Sequence, residues 1–164
     1  FTMYERLGDL AGKKVVIIGD ILHSRVARSN LWALSALGAD ITLCAPPTLI
    51  GPPQAWLATW PGITISDRLD EAAEGADVLM ALRLQQERMD GGLLPSLREY
   101  SRRFGLNADR VARAKPEVLV MHPGPMNEGV EIMPDVATGP HSVIETQVTN
   151  GVAVRMALLY LVAN

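Results

Sequence analysis

Lys14-Val15-Val16-Ile17-Ile18-Gly19-Asp20 opens a stretch that runs on through Ser24 to Leu37 and closes on Ile41-Thr42-Leu43-Cys44-Ala45. Lys14 to Ile18 is a continuous, β-branched apolar run, the pattern of a strand buried on both faces. Val26, Ala27, Leu31, Leu34 and Leu37 then recur at helical spacing, and Gly38 closes the helix. The second strand, Ile41 to Ala45, is stopped by Pro46-Pro47. Strand, crossover helix and strand in this order imply a parallel sheet.

The same alternation continues outward. A short helix over Gln54 to Thr59 leads past Pro61-Gly62 to a third strand, Ile63 to Ser66. Leu69 to Glu74 is a brief acidic helix ended by Gly75, and Val78 to Leu82 and Val118 to Met121 are the fourth and fifth strands. Between the last two lies a polar insertion, Gln85 to Lys115, with helices near Ser96 to Arg103 and Ala108 to Ala114. The last helix spans about Ser142 to Val162, with Val148, Val152, Met156, Leu159 and Val162 at helical spacing. The expected fold is α/β: a Rossmann-like three-layer domain with a parallel sheet of about five strands, a single domain over residues 1–164. Phe1 to Leu7 reads as the middle of an amphipathic helix with no initiator methionine, so an excised or split domain is expected.

At 164 residues, with 48% apolar residues, the chain is long enough for one full core. A net charge of −3 without a basic stripe or aromatic run argues against a nucleic-acid partner. No apolar stretch reaches membrane-spanning length, and the start has no signal-peptide pattern. Cys44 is the only cysteine and has no internal disulfide partner, which fits a reducing cytoplasm.

Chemistry-bearing residues gather where strands end. Val120-Met121-His122-Pro123-Gly124-Pro125-Met126-Asn127-Glu128-Gly129-Val130-Glu131 follows the fifth strand with prolines and glycines around a histidine. Such a run is rigid and irregular, and its carbonyls are left available to a ligand. In open α/β sheets, ligands bind at the carboxyl ends of strands. The first strand-to-helix turn, Gly19 to Ser29, lacks the G-x-G-x-x-G of a dinucleotide site, so no nicotinamide cofactor is expected.

Ser24 is placed to cap the helix, and Arg25 stands in its first turn, where the helix dipole disfavours a cation. Two readings of Arg25 stand level: an anchor for an anionic ligand at the helix start, or an exposed side chain paired with a carboxylate. Arg83 lies just past the fourth strand on the same edge, and two guanidiniums there suit a dicarboxylate. Gln85 is placed to assist, and Glu87 to orient an arginine, whereas Gln86 and Arg88 read as a solvated helix start. His23 and His122 have titratable rings but no carboxylate partner legible from spacing, so a hydrogen-bonded structural role is favoured over acid–base work. Gly91-Gly92 fits a functional lid and a plain surface loop equally. No Cys/His cluster has metal-ligand spacing, and no metal is expected.

Together, Gly19 to Ser29, Leu82-Arg-Leu-Gln-Gln-Glu-Arg-Met89, His122 to Ile132 and Gln147-Val-Thr-Asn-Gly-Val-Ala-Val-Arg155 resemble the catalytic chain of aspartate carbamoyltransferase. The resemblance runs over essentially the whole chain and corresponds to the second, aspartate-binding half. Ornithine carbamoyltransferases carry an S-M-G loop and an H-C-L-P turn; Arg83-Leu84-Gln85 and His122-Pro123-Gly124-Pro125 stand here, which favours aspartate. The resemblance implies that Arg25, Arg83 and Gln85 bind L-aspartate, with Glu87 and His122 in support. It also implies that carbonyls of Pro123, Gly124 and Pro125 hold the carbamoyl group of carbamoyl phosphate. A cis peptide at Gly124-Pro125 and a mobile loop from about Gln85 to Leu106 follow from it too.

Two departures stand out. The family's carbamoyl-phosphate domain, with its S-x-R-T loop, is absent from the sequence, and Glu128 stands where the family usually has Arg. The implied protein is a cytoplasmic homotrimer acting in pyrimidine biosynthesis, with active sites shared between subunits. The chain alone is expected to be inactive, its last helix packing on the missing half. Dihydroorotase or regulatory subunits are the further partners such a trimer would take, and the rival reading is a non-catalytic carbamoyltransferase-like subunit that scaffolds another pathway enzyme such as dihydroorotase.

Overall fold

The computed structural model describes residues 1–84 and 96–163. Five strands form one parallel sheet: β1 (Lys14–Ile18), β2 (Asp40–Cys44), β3 (Thr64–Ser66), β4 (Val78–Ala81) and β5 (Leu119–Met121), in the order β3-β2-β1-β4-β5. β1 matches its expected bounds, and the others begin or end within a residue of theirs. Val15 to Ile18 are at most 1% exposed, as a central strand covered on both faces requires.

Helices supply both covers. They are α1 (Thr2–Leu7), α2 (Arg25–Ala36), α3 (Pro47–Ile50), α4 (Pro53–Thr59), α5 (Leu69–Ala72), α6 (Leu97–Phe104), α7 (Ala108–Val111), α8 (Pro134–Ala137) and α9 (Ile144–Ala163). Successive strand residues point to opposite faces. Met80 and Met121 accordingly line one cavity with Tyr4 of α1, Leu34 of α2 and Gln147 of α9, while Val120 lines another with Val111 of α7 and Val136 of α8.

Helices α3 and α8 depart from the sequence reading, which took Pro46-Pro47 as a stop and saw no helix at Pro134. Each opens with proline at its first helical position, where the missing N–H has no intrahelical partner to lose. The insertion after β4 falls partly outside the described residues. From Ser96 onward it is anchored: Ser96 Oγ accepts from Glu99 N–H at 3.0 Å, and Tyr100 and Phe104 of α6 are buried.

At the amino ends of the strands, Asp77 ties three of them together. Its Oδ2 accepts from Lys14 N–H at 2.9 Å, both carboxylate oxygens accept from Lys115 Nζ at 2.9 Å, and its carbonyl accepts from Leu119 N–H at 3.0 Å. Burial pushes the Asp77 carboxyl up, but the Lys115 and Lys14 hydrogen bonds and the charges of Lys115 and Lys13 outweigh it, leaving the group below the usual range. A carboxyl lowered by folding stabilises the fold above its unfolded value of about 3.9 and stops doing so as pH falls through the folded value. Urea midpoints measured from pH 7 downward are therefore expected to drop below about pH 4. Asp77→Asn should be less stable at pH 7 and show a flatter acid limb.

Candidate functional site

The sheet order reverses direction at β1, which lies between β2 and β4, so the crevice at the carboxyl ends of β1 and β4 is the natural ligand position. Three segments meet there: Gly19 to Ser24 after β1, Leu82 to Leu84 after β4, and His122 to Pro125 after β5. Their approach depends on Gly19. At φ +119° it sits in the region that favours glycine, and a Cβ would lie 2.9 Å from Tyr100 Oη and 3.1 Å from Leu82 O.

The β1 turn is built on Asp20, buried at 1% exposure. Its Oδ1 accepts from His23 N–H at 3.2 Å and lies 2.8 Å from His23 Nδ1. This corrects the reading that His23 has no legible carboxylate partner: the partner stands three residues earlier, in a side-chain-capped turn. Ser24 Oγ accepts from Ala27 N–H at 3.1 Å, the N-cap of α2. Arg28 Nη2 donates to Leu22 O at 2.8 Å and braces the turn. Arg25, the first residue of α2, is exposed.

Beyond β4, Leu82 and Leu84 are buried while Arg83 between them is half-buried, the alternation of an extended segment. Leu82 N–H donates to Ile18 O at 2.8 Å, fastening this segment to the end of β1. Gln85 and Glu87 lie outside the described residues, as do Gln86, Arg88 and Gly91-Gly92.

After β5, the Gly124-Pro125 peptide is cis and Gly124 has φ +63°. Among the described residues, no backbone N–H donates to the carbonyls of Pro123, Gly124 or Pro125. His122 beneath them is fully buried. It too has the carboxylate neighbour that spacing did not reveal, with Nε2 3.3 Å from Glu131 Oε1. Glu128 is exposed in the loop that follows. Sequence reasoning also passed over Tyr100. Burial, with the Glu131, Cys44 and Asp20 charges adding to it, pushes its hydroxyl well above the ordinary phenol range, so it stays neutral. Burial likewise pushes the Cys44 thiol up to about 12, which makes it packing rather than a nucleophile.

Among the described residues, no three metal-ligating side chains cluster, and no helix is long and apolar enough to cross a membrane. The edge thus offers guanidiniums after β1 and β4 and open carbonyls after β5. That combination suits a ligand with carboxylate groups and an amide or amine nitrogen.

The aspartate/ornithine carbamoyltransferase family, in its Asp/Orn binding domain, matches residues 11–162. Aspartate carbamoyltransferase catalytic subunits of a Roseiflexus species and of Chloroflexus aurantiacus are 71% and 63% identical, over 98% and 99% of this chain. The chain spans about half the length of these relatives, 50% and 53%. Aspartate transcarbamoylase from Trypanosoma cruzi, solved with N-(phosphonacetyl)-L-aspartic acid, superimposes with a TM-score of 0.79 at 31% identity, covering 97% of this chain and 52% of that one. Ornithine carbamoyltransferase from Pyrococcus furiosus gives 0.77 at 29%, covering 91% and 49%. The chain belongs to the aspartate/ornithine carbamoyltransferase family, as its amino-acid-binding domain.

Proposed function

We propose that this chain is the aspartate-binding half of an aspartate carbamoyltransferase, which makes N-carbamoyl-L-aspartate and phosphate from L-aspartate and carbamoyl phosphate in pyrimidine biosynthesis. The observation that carries the choice of substrate is Arg83 at the carboxyl end of β4, on the same sheet edge as Arg25. Two guanidiniums match the two carboxylates of aspartate, whereas ornithine has one carboxylate and a second amine. The most similar relatives quoted above carry the aspartate name.

In this reading Arg25 and Arg83 hold the carboxylates, Gln85 assists them, and the carbonyls of Pro123, Gly124 and Pro125 accept from the carbamoyl NH₂. The amine of aspartate, once deprotonated, attacks the carbamoyl carbon. A C–N bond forms, the C–O bond to phosphate breaks, and phosphate departs with the electron pair and takes up the proton that the attacking nitrogen releases. Holding both reactants in attack geometry accounts for most of the acceleration. Stabilising the phosphate falls to groups outside this chain, in a carbamoyl-phosphate-binding domain that corresponds to the half of the relatives not matched here. The apolar surface of α9 is the surface that domain would cover. Assembly as a homotrimer in the cytoplasm belongs to the same reading, and sedimentation of the protein as it occurs in its source tests it.

The direct test supplies that protein with carbamoyl phosphate and either L-aspartate or L-ornithine. Carbamoyl-aspartate as the product is expected. Carbamoylated ornithine, or no transfer to either, would contradict the proposal.

A further inference from the structure

The turn that offers its carbonyls is held from below by side chains that touch no substrate in the reading above. Gly124 N–H donates to His122 Nδ1 at 2.9 Å, and Asn127 N–H donates to Glu131 Oε1 at 2.8 Å, so the two side chains grip the turn on either side of Pro125. His122 N–H donates to Gln147 Oε1 at 3.0 Å, which ties the turn to the first part of α9. Asn127 Nδ2 donates to Leu84 O at 3.4 Å, which ties it to the segment carrying Arg83.

The imidazole can do this in only one form. A ring nitrogen that accepts from Gly124 N–H cannot also carry a proton, so the proton sits on Nε2. Nε2 lies 3.3 Å from Glu131 Oε1, close but not hydrogen-bonded, in a pocket where both side chains are at most 1% exposed. A carboxylate at that position favours the Nε2–H form, and with it the Gly124 hydrogen bond.

We propose that Glu131 and Gln147 are positioning residues: Glu131 selects the His122 tautomer and Gln147 fixes the His122 backbone, so that the carbonyls of the Pro123–Pro125 turn stay aimed into the crevice. This rests on reading that turn as the seat of the carbamoyl group.

The test uses the protein as it occurs in its source, with Glu131→Gln, Gln147→Leu and Gln147→Glu, and ¹⁵N-histidine NMR to read the His122 tautomer. Wild type is expected to hold its proton on Nε2. Glu131→Gln should populate the other tautomer and lower kcat/KM for carbamoyl phosphate about 100-fold, the order expected for a misplacement near 1 Å. The KM for aspartate should stay within about twofold of wild type. A merely destabilised protein would lose both substrates in proportion. Gln147→Leu should show a similar loss, and Gln147→Glu, which keeps an acceptor oxygen, should recover most of it. A wild-type proton on Nδ1, or a folded Glu131→Gln protein with wild-type kinetics, would overturn the proposal. If Glu131→Gln does not fold, the wild-type tautomer and the Gln147 pair decide in the same sense. If the wild-type protein transfers no carbamoyl group, the functional reading fails separately, while the tautomer and its response to Glu131→Gln still decide the brace.

Discussion

Replacing Arg83 with alanine is expected to lower kcat/KM for aspartate by about 10²–10⁴-fold in the protein as it occurs in its source. A guanidinium gripping a carboxylate makes two charge-assisted hydrogen bonds, each worth about 1.5–3 kcal/mol. Their joint loss of about 3–6 kcal/mol corresponds to that range at about 1.4 kcal/mol per decade. Arg83 is half-buried rather than enclosed, which points to the lower part of the range. Arg83→Lys keeps the charge but not the planar fork, so it should recover only part of the loss. Steady-state kinetics against each substrate checks this: the defect should appear against aspartate, with the KM for carbamoyl phosphate little changed. A loss under about tenfold would remove Arg83 from the proposed role.

In the chain alone, amides of residues 152–163 are expected to exchange with solvent nearly as fast as in an unfolded peptide. α9 is seated at its start: Ile144 is buried, and Asn150 Nδ2 donates to Thr2 Oγ1 at 3.0 Å and to Glu5 Oε2 at 2.8 Å. From Gly151 to Ala163 every residue is exposed. A helical stretch of that length with so little burial is marginal in water. Its surface is also apolar on more than the expected stripe, since Val154, Leu158 and Leu161 are exposed as well as Val152, Met156, Leu159 and Val162. A helix apolar all round belongs under cover. Each such side chain contributes about 1.5–3 kcal/mol when fully buried, so covering even two should slow exchange by at least about 100-fold. Hydrogen exchange on the dilute chain and on the protein containing the second domain reads both states. Strong protection of 152–163 in the dilute chain would contradict this account.

The sheet was legible because its signal is local: five apolar runs, each bounded by glycine, proline or a charged residue, need no partner to be read. α3 and α8 were missed for an equally local reason, that proline breaks a helix interior but suits its first turn. The carboxyl-edge position of Arg25, Arg83 and the Pro123–Pro125 turn also followed from strand order in the sequence. What supports that edge did not. Asp20 was near enough to His23 to be found by its spacing, but Glu131 and Gln147 reach His122 across nine and twenty-five residues of chain. Tyr100 arrives beside Gly19 only because α6 packs back on the sheet. Pairings of that kind are set by tertiary packing, and no sequence period encodes them.

In the proposed function the crevice after β1 and β4 is expected to hold aspartate between Arg25 and Arg83, with its amine turned toward the carbonyls of Pro123 to Pro125. A crystal structure of the protein as it occurs in its source, with N-(phosphonacetyl)-L-aspartic acid bound, tests it most directly. Guanidinium nitrogens of Arg25 and Arg83 are expected at about 2.7–2.9 Å from the two carboxylates, and a turn carbonyl within hydrogen-bond distance of the ligand's amide nitrogen. Carboxylates bound by other residues, with either arginine turned away from the ligand, would contradict it.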